Sequence, residues 1–289
     1  MNTHLLIIDP QQDFCSPNGS LFVPGADQDM IRLAAFINRM SKKIDDVHVT
    51  LDSHRLIDVA HPLYWSNSNG EHPAPFTIIS SDDVVNGVWT TTNPAWKQRG
   101  VDYVKALETN GRYPLCIWPP HTLIASTKKV GVKDKSGNVV IVDGKPLMVD
   151  FCGHSVVEPV SDALLKWQEE RFGIVDYLTK GSNIMVEHYS AVQSEVPDPS
   201  DPTTMLNTDF IEILQNADNI IIAGEALSHC LANSVRDISN NFGDENIKKL
   251  ILLTDCSSSV TGFENLGEEF VKDMVGRGMQ VSTSVDCLT

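Results

Sequence analysis

The 289-residue sequence contains no CxxC pair, no internal repeat and no low-complexity tract. It also has no apolar run approaching the roughly 18 residues of a membrane span. Its six cysteines are scattered at 15, 116, 152, 230, 256 and 287. That spread reads as reduced thiols and excludes a disulfide scaffold or a paired-cysteine zinc or redox motif. Basic residues are scarce: 22 Lys and Arg stand against 38 Asp and Glu, for a net charge of −16. An excess of acid argues against nucleic acid or an anionic membrane as partner. Met1-Asn2-Thr3-His4 runs into an apolar strand without a basic leader-like segment, and the expected location is the cytoplasm. What is present is ordinary for a globular chain, 42% hydrophobic and 21% charged, enough for a large core. One domain spanning 1–289 is expected.

The most informative stretch runs from Ile220 to Val235. Ile220-Ile221-Ile222-Ala223 is short and apolar, as a buried strand is. A turn led by Gly224 follows, then a segment with Leu231 and Val235 at helical spacing. Cys230 thus stands at a helix N-terminus beside the C-terminal end of a strand, where open α/β sheets place ligands. Free backbone N–H groups and the helix dipole there favour a thiolate and a tetrahedral oxyanion. Taken alone, a small buried residue at a strand–helix junction is the plainer reading.

Earlier in the chain, Leu5 to Ile8 reads as a buried strand stopped by Asp9-Pro10, which leaves Asp9 at its tip. Residues 27–43 have the spacing of an amphipathic helix. Val47 to Leu51 is a second strand ending in Asp52-Ser53-His54, with His61 seven residues beyond His54. Carboxylate and imidazole two apart suit a transition metal such as zinc, although a salt bridge has the same pattern. Residues 61–94 lack periodicity and a short helix is expected over 98–110. In Trp118-Pro119-Pro120-His121 the prolines hold the backbone before His121, as a metal ligand on a loop requires; packing on Trp118 is the alternative. Residues 126–150 read as a β-hairpin insertion with turns at Lys133–Asn138 and Asp143–Lys145, serving as active-site flap or oligomer contact. A helix is expected over 158–179, capped by Lys180-Gly181, followed by a strand at 183–186 that ends in Glu187. The remaining pattern gives a helix at 207–216, a strand at 249–254, a helix at 265–277 and a strand at 279–283. Alternating strands and helices imply a three-layer α/β sandwich around a mostly parallel sheet, with Asp9, Asp52, Glu187 and Cys230 on one edge.

Several segments together resemble the nicotinamidase/isochorismatase superfamily of cysteine hydrolases. They are Leu6 to Phe14, Asp52-Ser53-His54, Trp118 to His121, Tyr189-Ser190-Ala191 and Gly224 to Cys230. The resemblance implies a six-stranded sheet, Cys230 as nucleophile and Asp9 as its base. It implies an oxyanion hole at a cis peptide between Glu225 and Ala226, and a ring pocket lined by Phe14, Trp118 and Tyr189. It also implies a divalent metal, zinc first with manganese or iron as alternatives, on Asp52, His54 and His121 with His61 in addition. That metal set favours the nicotinamidase branch, hence hydrolysis of nicotinamide to nicotinate and ammonia.

The family also has a catalytic lysine on the strand before Tyr-Ser-Ala. Here Lys180 reads as a helix end, so Glu187 is expected in the lysine's place, where a carboxylate raises the thiol pKa and alters the pH profile. The expected partner is a small amide substrate, in a homo-oligomer. The alternatives are another small amide, ureido compound or vinyl ether as substrate, or a metal- or ligand-binding protein without turnover. His188 and His229 lie near the site without an assigned part.

Overall fold

The computed structural model describes residues 1–110, 113–133 and 137–288. Its central strands are β1 (Thr3–Ile8), β2 (Asp46–Asp52), β5 (Val175–Lys180), β6 (Asn219–Gly224), β7 (Leu250–Leu253) and β8 (Gln280–Ser282). The numbers β3 and β4 belong to the insertion, Lys128–Gly131 and Met148–Phe151. The sheet order is β5-β2-β1-β6-β7-β8 and every neighbouring pair is parallel. The six-stranded sheet is thus as expected, and wholly rather than mostly parallel.

Strand periodicity builds the three layers. Along β1, Leu5 and Ile7 pack on one face and Leu6 and Ile8 on the other. The first face meets α1 (Ala26–Met40) through Met30, Leu33 and Ile37, and α3 (Glu158–Arg171) through Ala163, Leu164 and Trp167. The second meets α4 (Thr208–Gln215), α5 (Cys230–Asn240) and α6 (Glu264–Gly276) through residues such as Phe210, Val235 and Phe270. It also meets α2 (Lys97–Asn110) through Tyr103, Val104 and Leu107. With both faces covered, β1 and β6 are near-continuous apolar runs.

The structure corrects the reading of 158–186. The helix stops at Arg171, Phe172 turns into the left-handed region at φ 51°, and Val175–Lys180 is a strand at the sheet edge. Phe172 and Ile174, 99% and 85% exposed, continued the apolar spacing without belonging to the core. Residues 183–186 are loop, so Glu187 ends no strand. The consequence is local to the site: β5 pairs with β2 in a register that sets Lys180 opposite Asp52.

The hairpin forms as expected. Antiparallel pairing of β3 with β4 sets Lys128 opposite Phe151, and the far turn closes over Asp143 and Gly144 between Ile141–Val142 and Lys145–Pro146. The other expected turn, 133–138, falls partly on 134–136, outside the described residues. The hairpin base leans on the single helical turn Gln12–Cys15 that carries Phe14. Gly153 and Ser155 carbonyls accept the Asp13 and Gln12 N–H groups at 3.0 and 2.8 Å.

Candidate active site

Three strand ends and one helix start converge. Asp9 follows β1 at φ 42°, Asp52 and Lys180 close β2 and β5, and Cys230 opens α5. The turn from β6 into α5 passes close under β1. A Cβ at Gly224, φ 113°, would lie 2.0 Å from the Ile8 carbonyl oxygen, so only glycine fits. The Glu225–Ala226 peptide is cis. The Glu225 side chain turns away from the pocket and accepts the Ser258 N–H at 3.0 Å. Among the described residues, neither the Ala226 nor the Cys230 N–H has an acceptor. Both donors are therefore open to a ligand at the start of an eleven-residue helix.

Lys180 is the hub. Its buried Nζ lies 3.0 Å from Asp9 Oδ2, 2.9 Å from Asp52 Oδ1 and 3.6 Å from Cys230 Sγ, and donates to the His188 carbonyl at 3.1 Å. Burial opposes its charge, but Asp52 and Asp9 hold its pKa well above the ordinary lysine value, so it stays an ammonium. Asp9 Oδ1 accepts from Thr50 Oγ1 at 2.5 Å, while Oδ2 faces the ammonium without a well-aligned hydrogen bond. Burial raises the Asp9 pKa, with Lys180 pulling against it. Burial also raises the Cys230 thiol well above its usual value, opposed by Lys180 and assisted by Asp9. The resting group is a thiol that needs a base, and Asp9 is the adjacent carboxylate.

On the far side of Asp52 lies a second group. Atoms of Asp52, His54 and His121 all fall within 4.8 Å of one another, and all three residues are buried. Asp52 Oδ2 is 3.0 Å from His54 Nε2 and 3.3 Å from His121 Nε2. His54 Nδ1–H donates to Asp58 Oδ2 at 3.1 Å and His121 Nδ1–H to the Pro119 carbonyl at 2.9 Å, which turns both Nε2 atoms towards Asp52. Burial opposes charge on His54, yet Asp52 and Asp58 raise its pKa well above normal. Burial would raise Asp52, and His54 with Lys180 hold it well below the usual carboxylate range. One carboxylate and two oriented imidazoles make a donor set that fits zinc, and a divalent cation would replace the imidazolium charge among the same atoms.

His61 stands outside this group. Its Nδ1–H donates to the Arg55 carbonyl at 3.0 Å, and its Nε2 lies 3.3 Å from His121 Nδ1. Burial, with His121 and His54, lowers its pKa to about 3. It is a neutral acceptor behind His121, so the sequence reading that made it a fourth ligand places it one ring too close.

A pocket of about 410 Å³, mouth included, joins the thiol to the histidines. Phe14, Trp118 and Tyr189 line it together with Leu21, Ala226 and His229, so all three expected aromatic positions converge. Trp118 Nε1 donates to the Tyr189 hydroxyl at 3.0 Å, fixing both rings. Glu187 also lines the pocket, and burial pushes its pKa up to about 8. It occupies no part of the Asp9–Cys230 contact; Lys180 does. Sequence reasoning missed Thr50 and Asp58 as well. Thr50 shares the strand face of Asp52 at i, i+2, and that alternation was the available signal. Asp58 lies between His54 and His61 in the chain, a spacing compatible with many loops.

No family model and no curated protein matches the chain. Solved structures do. The yeast nicotinamidase Pnc1p bound to the inhibitor nicotinaldehyde superposes with a TM-score of 0.59 at 14% identity, over 97% of this chain and 99% of that one. An Acinetobacter nicotinamidase/pyrazinamidase gives 0.58 at 17% identity, over 99% and 98%. The pyrazinamidase of Pyrococcus horikoshii in complex with zinc gives 0.54 at 15% identity, over 98% and 99%. The chain therefore has the fold of the nicotinamidase and pyrazinamidase structures, as its sequence resemblance to the nicotinamidase/isochorismatase superfamily implies.

Proposed function

We propose that the protein is a metal-dependent cysteine amidohydrolase of nicotinamidase type, converting a small aromatic carboxamide, nicotinamide first, to the acid and ammonia. The observation that carries this reading is the buried Lys180 ammonium, which touches Cys230, Asp9 and Asp52 at once. It joins a nucleophile–base pair to a cluster fit for a metal.

Asp9 takes the Cys230 proton as Sγ attacks the carboxamide carbon. The Ala226 and Cys230 N–H groups donate to the oxygen that becomes anionic. Lys180 steadies the charge that passes between thiol and carboxylate. The C–N bond breaks as Asp9 returns the proton to the leaving ammonia, and a thioester remains. Water then attacks the thioester, Asp9 accepts its proton, and the acid leaves as the Cys230 thiol re-forms. Asp52, His54 and His121 would hold a divalent cation, zinc before manganese or iron, which supplies a Lewis acid for the ring nitrogen of the substrate. His61 and Asp58 orient those histidines. Phe14, Trp118, Tyr189 and His229 sandwich the ring and exclude water. Lys180, rather than Glu187, is the third member of the catalytic group in this reading.

The test is ammonia release from nicotinamide by metal-loaded protein beside its Cys230→Ala variant. Release should vanish in the variant while bound metal per chain stays the same. Release that persists would refute the role of Cys230.

A further inference from the structure

A buried carboxyl lies beneath the turn that presents the Ala226 N–H. Glu225 is fully buried, and its side chain ties this turn to the segment after β7. The Gly224 and Leu227 N–H groups donate to the Cys256 and Ser258 carbonyls at 2.9 and 2.8 Å. In the other direction, the Ser258 N–H donates to Glu225 Oε2 at 3.0 Å and the Val260 N–H to Ser228 Oγ at 3.1 Å. Two side chains therefore stand where a regular ladder would use backbone carbonyls.

The second oxygen of Glu225 is the informative one. Among the described residues, no N–H or O–H donor reaches Oε1. Its hydrogen-bonding neighbour is another carboxyl, Asp29 on α1, itself 3% exposed. Asp29 already has its donors: Arg32 Nη2 on Oδ1, and Ser258 Oγ on Oδ2 at 2.5 Å. Arg32 and Asp29 balance each other in charge, which leaves no cation for an ionised Glu225. The other charges around the pair are acidic too, Asp27 on α1 and Asp255 after β7, the latter turned towards Ser284. Cys15, on the helical turn beside them, is a thiol held neutral by burial and by these carboxyls. Two ionised carboxylates offer each other acceptors only, whereas a proton on one makes the contact a hydrogen bond. Burial and Asp29 accordingly hold the Glu225 pKa well above the ordinary carboxyl value.

We propose that Glu225 is a positioning residue of the oxyanion site, held in the protein as a neutral carboxylic acid. It donates its proton to Asp29 in a hydrogen bond, and its other oxygen receives the Ser258 N–H. One side chain thereby fixes the peptide that carries the Ala226 N–H to the pocket. An ionised Glu225 would meet Asp29 as a like charge and lift the turn away from Ser258. The link to the oxyanion rests on the amidohydrolase reading; the protonation state does not.

The test compares Glu225→Gln, which keeps one donor and one acceptor, with Glu225→Met, which keeps the length and neither. Glu225→Gln should release ammonia from nicotinamide within about threefold of the parent. Glu225→Met should lose at least about tenfold in kcat with KM and bound metal unchanged, a part of the roughly hundredfold or more that one oxyanion donor contributes. In protein labelled with 15N-alanine, the Ala226 amide resonance should hold its place in Glu225→Gln and move in Glu225→Met. Melting reads the protonation state. Folding takes up the Glu225 proton above the ordinary carboxyl range, so the parent loses stability between about pH 5.5 and about pH 7.5 through a group that Glu225→Gln lacks. The melting-temperature gap in favour of Glu225→Gln should widen by about 2 °C or more per pH unit. A gap that stays constant or narrows overturns the inference. So does a Glu225→Gln protein that behaves as Glu225→Met, or a Glu225→Met protein with parental kcat and an unmoved Ala226 resonance. Each of these leaves the amidohydrolase reading standing. No ammonia from the parent refutes that reading instead, while the resonance and the melting gap still decide whether Glu225 holds the turn as a neutral acid.

Discussion

Replacing Lys180 by Met tests the centre of the site. The side chains have similar length, so the change removes the ammonium and leaves most of the volume. In the protein, Nζ is 3.6 Å from Cys230 Sγ and 3.0 Å from Asp9 Oδ2. At an effective dielectric of about 20, a unit charge near 4 Å from a forming thiolate contributes about 4 kcal/mol. Its loss corresponds to about a thousandfold in rate. Proton uptake by Asp9 or Asp52, left without their cation, offsets part of the Coulomb cost, so about a hundredfold is the floor. Stability falls too, by about 3–5 kcal/mol if both carboxylates stay ionised, because breaking a buried ion pair strands its partners. The assay is ammonia release under saturating amide, with metal content and thermal melting measured on the same sample. Slower alkylation of Cys230 at mildly alkaline pH is the independent sign, since the thiol loses the group that lowers its pKa. A folded, metal-replete Lys180→Met protein within tenfold of the parent, beside an inactive Glu187→Gln protein, would refute the reasoning and restore Glu187 to the catalytic group.

Other outcomes follow from single contacts. Asp58→Asn weakens the hold on His54 and should lower metal affinity about 10–100-fold, read by competition with a chelator, with activity regained at high zinc. Thr50→Val removes a hydrogen bond that lowers the Asp9 pKa. Asp9 acts as a base when ionised, so the acid limb of kcat/KM should lie above the usual carboxylate range and move to higher pH in the variant; a limb that moves down or stays refutes Asp9 as the titrating base. Gly181→Ala forces a Cβ to 2.8 Å from Asp52 Oδ1 at φ 81°. It should cost about 1–2 kcal/mol from the left-handed backbone alone and more from the clash, seen as a lower melting temperature.

The parts legible in the sequence were those with strong local pattern. β1 and β6 are buried on both faces, and their apolar runs stand out from the flanking turns. Asp9, Asp52 and Cys230 stand out in the sequence because they lie at or just beyond the end of an apolar run, His54 because it follows Asp52 by two residues, and His121 because it follows two prolines. β5 was not legible. It is an edge strand with one side to solvent, and Tyr177, 48% exposed, carries no core signal. Its defining partner, Asp52, is 128 residues away, and no local periodicity encodes a contact of that separation. Glu187 was drawn into the lysine's place because 183–186 imitates a strand in composition. The tautomers that place His61 behind His121 depend on the carbonyls of Arg55 and Pro119, and backbone groups leave no trace in residue type.

The register of β5 against β2 gives the site a property beyond chemistry. Side chains on a strand alternate between faces, so a slip of one residue would carry Lys180 away from Asp52 to the opposite side of the sheet. The outermost strand, held by a neighbour on one side only, supplies the ammonium on which nucleophile and base both depend. Under the proposed function, turnover would then report whether the last strand has docked in its one correct alignment. A chain whose sheet is otherwise complete but whose edge is misaligned would be folded, compact and silent.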